Sequence, residues 1–376
     1  MNASPMPAGS ALFGSREHLD VSRALSELQA CRPVRVSASD ESLIALLVEG
    51  LDNRRFDEFT TLCGPATPKL IVTQQRARAI DLDTSMPMTL PLPRTIDAGG
   101  IFELAAGNNS HFNARAEAAG YAARAAIRMV KLARGLPAIL TAQVTAIESE
   151  MAHSISVVDA DAVNRFVASA TGTLAVASEA SIPLASGEPA RFVVFRDALG
   201  VDQVAIIVGS PDHSRPVAVR LHSACLTGDV FGSRRCDCGD QLRLAIGRLE
   251  TLGGGIILYL AQEGRGIGLA NKMRAYRLQD AGLDTQDANT TLGFEDDERD
   301  YDVAAHMLRA LNYTRIVLLT NNPAKLDGLT KAGIEVTART PLEAPVTPHN
   351  KRYLTTKAVR SGHKLVTLKA SSEEAL

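Results

Sequence analysis

The chain has 376 residues and a formal net charge of −2, so its overall charge does not favour nucleic acid or an anionic membrane as a partner. At about 100–200 residues per domain, this length predicts two or three domains. Apolar residues make up 45% of the chain, but tryptophan is absent, so we expect cores of Leu, Val, Ile and Ala. No apolar run approaches the ~18 residues of a membrane-spanning helix, and the N-terminus lacks the pattern of a signal peptide. A cytoplasmic location is the simplest expectation.

The N-terminal half begins with residues 1–16, which are small, polar and proline-bearing and predict a flexible tail. Helical spacing of Leu and Val predicts a helix over residues 19–31. The segment 40–51, DESLIALLVEGL, is amphipathic and begins with Asp40 as a helix cap. Further elements expected in this half are a strand at 32–37, a strand at 69–73, a helix at 74–79 and an Ala-rich helix at 113–135.

A small, polar stretch near residue 178 places a domain boundary close to residue 175, giving expected domains at 17–174 and 175–376. Beyond it, apolar runs of strand length alternate with helical patterns, which predicts the α/β class. Strands are expected at 191–195, 204–208, 217–221, 255–260, 315–319 and 334–339, and helices after Cys238, at 268–281, at 302–311 and after Pro323. The helix after Cys238 is expected to bury Leu242, Leu244, Ile246, Leu249 and Leu252.

The stretch RLHSACLTGDVFGSRRCDCGDQL holds three of the five cysteines, Cys225, Cys236 and Cys238. Thiolates are soft ligands that suit zinc, and three of them leave a fourth tetrahedral corner for water, the arrangement of a catalytic site. The alternative is three small buried hydrophobic side chains, but polar residues and glycines surround them. An odd number of cysteines with one tight cluster favours a reducing compartment over a disulfide framework.

A second motif, QEGRGIGL, follows the apolar run 255–260 and precedes a helical pattern. A glycine-rich turn between a strand and a helix favours phosphate binding, because backbone N–H groups converge at the start of the helix. Arg265 adds a guanidinium that can contact phosphate or a purine edge. An ordinary tight turn explains the pattern equally well. The glycine spacing does not match the dinucleotide-binding fingerprint.

The acidic stretch FEDDERD is either a solvated loop or a site in which Asp297 is a general base, Arg299 faces a polyphosphate and nearby acids hold Mg²⁺. Thr320 and Lys325 follow a predicted strand, where ligands bind in open α/β sheets. Lys325 is a candidate phosphate contact, the alternative being a solvent-facing lysine. Tyr276 is either a half-buried anchor or a proton carrier.

Together these motifs, with LLTNNPAK and the late NKRYLTTKAVRSGHKL, resemble the GTP cyclohydrolase II family in order over residues 177–376. The resemblance implies an enzyme of riboflavin biosynthesis that hydrolyses GTP to 2,5-diamino-6-(5-phospho-ribosylamino)pyrimidin-4-one, formate and pyrophosphate. It implies that Cys225, Cys236 and Cys238 hold a zinc ion whose water attacks C8 of guanine, that Mg²⁺ accompanies the phosphates, and that the protein is a homodimer.

The same resemblance implies roles for individual residues. Asp297 matches the proton acceptor, and Tyr276 matches a tyrosine that assists the ring chemistry. Arg299 matches a proposed nucleophile at the α-phosphate, although its high pKa favours charge stabilisation of the departing pyrophosphate. The nucleotide would be held by Arg220, His222, Ser223, Gln241, Glu263, Gly264, Arg265, Thr285, Thr320 and Lys325.

The N-terminal half resembles 3,4-dihydroxy-2-butanone 4-phosphate synthase in the order and spacing of its predicted strands and helices. That synthase uses a dense acidic block to bind Mg²⁺, whereas only Asp40, Glu41 and Glu49 occur in the matching stretch. The substrate loop of the synthase is also missing. We therefore expect a degenerate, catalytically silent domain kept for packing, dimerisation or regulation.

Two other functions stay open at this stage. A related hydrolase could act on another substrate, for example in uracil catabolism. A non-catalytic zinc module that binds a nucleotide is the second alternative, and a fourth protein ligand such as His222 on the metal would favour it.

Overall fold

The computed structural model describes residues 15–108, 110–144, 154–185, 189–346 and 355. The chain divides into two compact units, one formed by Met1–Ser169 with Ala270–Asp297 and the other by Ala170–Leu269 with Glu298–Leu376. Almost all of the expected tail and the whole motif NKRYLTTKAVRSGHKL, apart from Thr355, lie outside the described residues. The domain limits expected from the sequence stay a prediction.

The first unit contains a seven-stranded sheet in the order β5-β4-β3-β6-β2-β1-β7. Its neighbouring strands are antiparallel except for β1 and β7, which are parallel. The strands are β1 (Val34–Ser37), β2 (Ser42–Leu47), β3 (Lys69–Val72), β4 (Met88–Pro91), β5 (Glu117–Ala118), β6 (Ala138–Gln143) and β7 (Ser156–Asp159). The helices are α1 (Arg16–Gln29), α2 (Asn53–Leu62), α3 (Gln74–Ala79), α4 (Ala98–Ala106), α5 (Tyr121–Leu132), α6 (Ala160–Ser169), α9 (Leu269–Asp280) and α10 (Thr285–Thr291).

The core of the first unit forms where helix α5 lies on the sheet. The buried residues of helix α5 are four alanines in its first half, followed by Ile127, Met129 and Val130. Helix α5 packs against β1, β2, β3 and β6, and helices α1 and α6 pack beside it. Small alanines let the helix backbone approach the sheet closely, while the larger side chains fill the space between the layers.

The second unit contains the other seven-stranded sheet, in the order β14-β13-β11-β12-β10-β9-β8. Strands β11, β12, β13 and β14 are parallel, and β8, β9 and β10 extend the sheet in antiparallel pairs. The strands are β8 (Ala175–Pro183), β9 (Pro189–Arg196), β10 (Asp202–Gly209), β11 (Val217–Ser223), β12 (Gly254–Leu260), β13 (Arg315–Leu319) and β14 (Glu335–Thr340). The helices are α7 (Leu226–Asp229), α8 (Cys238–Thr251), α11 (Asp302–Ala310) and α12 (Pro323–Lys331).

Helices cover both faces of this second sheet around its central strand β12. Along β12, Ile256 and Leu258 belong to the core on one face with helix α11, while Ile257 joins Ala245 and Leu249 of helix α8 on the other. This alternation follows from the two-residue period of a strand. Because parallel strands have their carboxyl ends at one edge, the residues after β11, β12 and β13 meet there.

Most predicted elements are confirmed, and the α/β class with them. The strand at 69–73, the helix at 74–79 and the strand at 315–319 agree with the structure to within a residue. Asn322 caps helix α12 and Pro323 is its first residue, as the motif Asn-Asn-Pro predicts.

Three expectations are wrong. Residues 42–47 of the amphipathic segment form strand β2, buried on both faces, because their unbroken apolar run suits a central strand. The Ala-rich helix begins only at Tyr121, since residues 117–118 pair with β4. On helix α8, Leu244 and Leu252 are exposed, and Ala245 is buried instead.

None of the helices within the described ranges has the length and apolar character needed to cross a membrane.

Candidate functional site

The three clustered cysteines lie at the carboxyl edge of the parallel strands. Cys225 follows β11 and precedes the short helix α7, and Cys238 is the first residue of helix α8. All three sulfur atoms lie within 4.8 Å of one another, and those of Cys225 and Cys236 are 3.7 Å apart. The expectation that the motif forms one cluster is therefore confirmed.

Two glycines allow the cysteine loop to close this tightly. A Cβ atom on Gly228 would lie 2.9 Å from the sulfur of Cys236 and 3.1 Å from that of Cys225. A Cβ on Gly239 would lie 2.3 Å from the carbonyl oxygen of Gly228. Larger residues at either position would push the sulfur-bearing backbone segments apart.

Gly228→Ala is therefore expected to lower metal affinity at least ten-fold, because the added methyl group meets two of the three sulfur atoms. Metal content after dialysis against a chelator, measured by inductively coupled plasma mass spectrometry, checks this. Gly247→Ala is the matched control, since a Cβ atom there has no neighbour within 4 Å. Equal metal retention by both variants would contradict the expectation.

The cysteine cluster fits a divalent zinc ion. Three thiolates provide soft ligands at suitable separation, and within the described part of the chain the group contains neither histidine nor carboxylate. The hydrogen bond with Cys225 and burial raise the pKa of Cys236, while Cys238 acts in the opposite direction. Three adjacent thiolates repel one another, and a cation between them removes that repulsion.

Asp229 organises the residues around Cys225. Its carboxylate accepts a hydrogen bond from the backbone N–H of Cys225 (2.9 Å) and another from the hydroxyl of Tyr259 (2.9 Å). Nε2 of His222 lies 3.1 Å from both of its oxygens, and the imidazole stacks on the ring of Tyr259. Burial lowers the pKa of His222, which favours the neutral ring at pH 7. Asp229 was recognised from the sequence only as a polar neighbour of the cysteines, and Tyr259 was not predicted as a site residue.

Arg220 and Gln241 form a second network on β11 and α8. The guanidinium of Arg220 donates to the carbonyl of Leu319 (3.0 Å) and to the side chain of Gln241, which in turn donates to the carboxylate of Asp237. Burial lowers the pKa of Arg220 to about 10, and the negative charges of Asp237 and Cys238 oppose this shift. The arginine remains charged at pH 7 and lies near the cysteine cluster.

The residues after β13 add a second buried cation. Lys325 is 6% exposed, and its ammonium donates to the carbonyl of Leu221 (2.6 Å), so the solvent-facing alternative is wrong. Thr320 is buried, and its hydroxyl accepts from the N–H of Asn322 (3.0 Å). Arg220 and Lys325 both act on His222, which places two positive charges at this edge.

The QEGRG loop is held largely by its own hydrogen bonds. Gly264 and Arg265 have φ angles of 65° and 66°, which is unusual for an arginine. The N–H groups of Gly266 and Gly268 donate to carbonyls of Gln262 and Glu263. Glu263 also accepts from the backbone N–H of Leu226 (2.7 Å), which ties the loop to helix α7. The N–H groups of Gly266 and Gly268 are therefore not available to a phosphate.

Polar atoms without a protein partner concentrate at this edge. Among the residues that the structure describes, buried atoms lacking a hydrogen bond include Nε of Arg220, Nδ1 of His222, Oγ of Ser223 and Oε1 of Gln262. Buried polar groups are nearly always paired in folded proteins, so their grouping here indicates the place of a polar ligand.

The remaining predicted residues are divided between the two units. Arg299 belongs to the second unit, where its guanidinium lies 5.7 Å from the ring centroid of Tyr301. Tyr276, Thr285 and Asp297 belong to the first unit. Tyr276 is in helix α9 with the ammonium of Lys272 5.7 Å from its ring centroid, Thr285 is the first residue of α10, and Asp297 is half-buried in the following loop.

The acids of the N-terminal half are used for structure. The carboxylate of Glu41 accepts from the N–H of Ala122 at the start of helix α5 (2.9 Å). Glu49 accepts from the N–H of Leu136 (2.9 Å) and pairs with Arg274 (2.6 Å). Asp40 is exposed. Within the described residues of the first unit, no group of three or more metal-binding side chains occurs.

Comparison with known proteins agrees with this geometry. A family model described as GTP cyclohydrolase II matches residues 175–341. A GTP cyclohydrolase-2 of Azospirillum brasilense is 42% identical over 359 residues, which are 91% of this chain and 93% of that protein. Riboflavin biosynthesis protein RibBA of Parabacteroides distasonis is 48% identical over 180 residues, 48% of this chain and 44% of that protein.

A solved structure of RibBX, a two-domain 3,4-dihydroxy-2-butanone 4-phosphate synthase from A. baumannii, aligns over 86% of this chain and 99% of that chain. Its TM-score is 0.32 and its identity 12%, which is too distant to support a conclusion. The relative from Azospirillum brasilense, in contrast, is similar over nearly its full length. The chain therefore belongs to the GTP cyclohydrolase II family.

Proposed function

We propose that this protein is a zinc-dependent GTP cyclohydrolase II. It hydrolyses GTP to 2,5-diamino-6-(5-phospho-ribosylamino)pyrimidin-4-one, formate and pyrophosphate, and so performs the first step of riboflavin biosynthesis. The name of the RibBA relative supports the pathway, and family membership supports the reaction.

One observation carries the proposal: a cluster of three cysteines beside buried cations and unpartnered polar atoms, at the carboxyl edge of a parallel sheet. A bound zinc ion supplies Lewis-acid chemistry, by which water becomes a nucleophile near neutral pH. Because the group has no fourth protein ligand among the described residues, a catalytic site is favoured over a closed structural module.

The residues of the second unit have separate tasks in this proposal. Asp229 orients His222 and the backbone of Cys225, since it accepts hydrogen bonds from both. The buried charges of Arg220 and Lys325 stabilise an anionic nucleotide, because desolvated cations interact strongly with phosphate. Ser223 and Arg265 provide further polar contacts for the substrate, together with Gln241, Glu263, Gly264 and Thr320.

Three further residues act on the reacting groups in this proposal. Asp297 accepts a proton during ring opening, and Tyr276 assists that step. Arg299 stabilises the charge of the departing pyrophosphate, because a guanidinium that stays protonated is a poor nucleophile but an effective cation. Thr285 contacts the nucleotide, Mg²⁺ accompanies the phosphates, and the protein is a homodimer; family resemblance alone supports these three points.

The N-terminal half is proposed to lack synthase activity. Its acids Glu41 and Glu49 are engaged by backbone N–H groups and Arg274, so they are not available to bind Mg²⁺ together. Release of 3,4-dihydroxy-2-butanone 4-phosphate from ribulose 5-phosphate by the purified protein would contradict this.

The test of the proposed function is direct. Zinc-loaded, full-length protein is incubated with GTP and Mg²⁺, and formate, pyrophosphate and the ultraviolet absorbance change are followed. We expect equal amounts of formate and pyrophosphate, both dependent on zinc. Release of neither product, or equal turnover by chelator-treated protein, would contradict the proposal.

A further inference from the structure

The segment Ala270–Asp297 has an unusual position in the fold. It lies inside the region matched by the cyclohydrolase family model, residues 175–341, yet it forms a compact unit with the N-terminal residues. The segment carries Tyr276, Thr285 and Asp297, which the proposed function assigns to the reaction and the nucleotide. What holds this segment therefore also holds those side chains.

The centre of the attachment is Arg76 of helix α3, which is 0% exposed. Its guanidinium donates to the carbonyls of Glu103 (2.8 Å), Leu104 (2.8 Å) and Gly107 (2.9 Å) at the end of helix α4. It also donates to the carbonyl of Thr291 (2.9 Å), the last residue of α10. Unpaired carbonyls and the negative end of the helix dipole make helix C-termini good partners for a cation.

Thr73 reinforces this attachment from the start of helix α3. Its hydroxyl donates to the carbonyl of Gly293 (2.7 Å) and accepts from the backbone N–H of Arg76 (3.2 Å). Gly293 has a φ angle of 90°, and a Cβ atom on it would lie 2.8 Å from that hydroxyl. The segments around Thr73 and Gly293 thus approach so closely that only glycine fits at position 293.

The hydrogen-bonded turn at Gly293 connects the residues held by Thr73 and Arg76 to Asp297. The N–H of Gly293 donates to the carbonyl of Thr290 (2.9 Å) and that of Phe294 to Asn289 (3.0 Å), the hydrogen-bond pattern of a Schellman motif. Phe294 is buried at 2% exposure. Asp297 follows three residues later, so its position depends on a turn that Thr73 and Arg76 hold.

A second attachment holds helix α9, which carries Tyr276. Arg274 pairs with Glu49 at 2.6 Å, and both side chains are mostly buried. The side-chain amide of Asn271 donates to the carbonyl of Arg134 (3.1 Å). Both ends of the segment are thus attached to residues of the N-terminal half.

We propose that the N-terminal half serves as the scaffold of the segment 270–297, and that Arg76 is a positioning residue for cyclohydrolase activity. This inference rests on the proposed function of Asp297, Thr285 and Tyr276. It gives the degenerate half a specific task, because losing its attachments slows the reaction without removing any group that touches substrate.

Arg76→Lys in the full-length, zinc-loaded protein is the first test. Lysine keeps the charge, but its single ammonium cannot serve four carbonyls at once. We expect kcat for formate release per bound zinc to fall at least ten-fold, and amide hydrogen exchange to rise in residues 285–297 but not throughout the protein. A merely structural role would raise exchange everywhere. Unchanged kcat, with or without a local rise in exchange, would overturn the inference.

Glu49→Gln is the second test and keeps the inference falsifiable if Arg76→Lys does not fold. The amide oxygen of glutamine can still accept from the N–H of Leu136, while the charge pair with Arg274 is lost. We expect a three- to ten-fold lower kcat and faster exchange in residues 269–280. Glu58→Gln is the matched control, because it breaks an exposed pair with Arg54 on helix α2. Equal kcat for both glutamine variants would overturn the inference.

The activity of the wild-type protein distinguishes failure of the proposed function from failure of the scaffold role. If it releases no formate from GTP, the proposed function fails and the inference fails with it. If the wild type is active and the Arg76 and Glu49 variants match it, only the scaffold role is refuted.

Discussion

Replacement of Cys236 by serine is expected to abolish zinc retention and the release of formate and pyrophosphate. Its sulfur lies 3.7 Å from that of Cys225 and within 4.8 Å of that of Cys238, so it belongs to two of the three sulfur pairs of the cluster. A neutral hydroxyl is a weak zinc ligand, and two thiolates alone do not make a stable site. We expect turnover to fall by more than 10³-fold, to the level of chelator-treated wild type.

Zinc content by mass spectrometry and formate release by a coupled assay check this expectation. Cys31→Ser is the matched control, because Cys31 is a free, partly exposed cysteine of the first unit and outside the cluster. The control is expected to keep one zinc per chain and full turnover. If Cys236→Ser retained both zinc and activity, the metal site proposed for this family member would be wrong.

Strands buried in the parallel part of the second sheet were readable from the sequence. The run RIVLL has the same limits as β13, and GIILYL covers all of β12 except its first residue. Both faces of these strands are covered, so every position except the exposed Arg315 at the start of β13 is apolar or glycine, and the run itself marks the element. Glycine and the Asn-Asn-Pro sequence then mark where the adjoining helices begin and end.

The same logic explains the main error in the first half. The segment DESLIALLVEGL carries a helix-capping aspartate, but its run Leu43–Leu47 is buried on both faces as strand β2. A short apolar run does not distinguish a central strand from a helix, because both can bury every side chain. Only the pairing of β2 with β1 and β6 settles it, and the β6 partner is distant in sequence, since Leu43 pairs with Gln143.

The clustering of the three cysteines was predicted from their spacing, whereas the hydrogen bonds around Cys225 were not. Cysteines separated by ten residues and by one residue need only a local loop to meet. Tyr259 reaches Asp229 from the neighbouring strand β12, 30 residues later in the chain. The only local sign of Asp229 was its place four residues after Cys225. Long-range partners of this kind leave no periodic pattern in a sequence.

The grouping of residues 270–297 with the N-terminal half was also beyond the sequence. Family resemblance assigns them to the cyclohydrolase region. In the run QQRARA, nothing in the sequence distinguishes Arg76 from an arginine on the exposed face of a helix. Its buried position results from carbonyls at the ends of α4 and α10, which converge only in the folded chain. Resemblance therefore predicts which residues react, but not which residues hold them.

Asp297→Asn is expected to slow formate release about 10²- to 10⁴-fold, the usual contribution of a general acid–base group. Asparagine has nearly the same shape as aspartate but cannot accept a proton at neutral pH. Asp297 is not part of the group Cys225, Cys236 and Cys238, so zinc content should match that of the wild type. Because asparagine occupies nearly the same volume, the unfolding midpoint should also stay close to that of the wild type.

Single-turnover formate release, zinc content and the unfolding midpoint, measured on one preparation, decide the outcome. Asp327→Asn makes the same chemical change on the exposed face of helix α12 and should leave all three unchanged. Wild-type formate release by Asp297→Asn would exclude this carboxylate as the proton acceptor. Loss of zinc together with activity would instead show that Asp297 supports the metal site. Slow turnover with intact zinc and stability is the one result that separates proton transfer from metal binding.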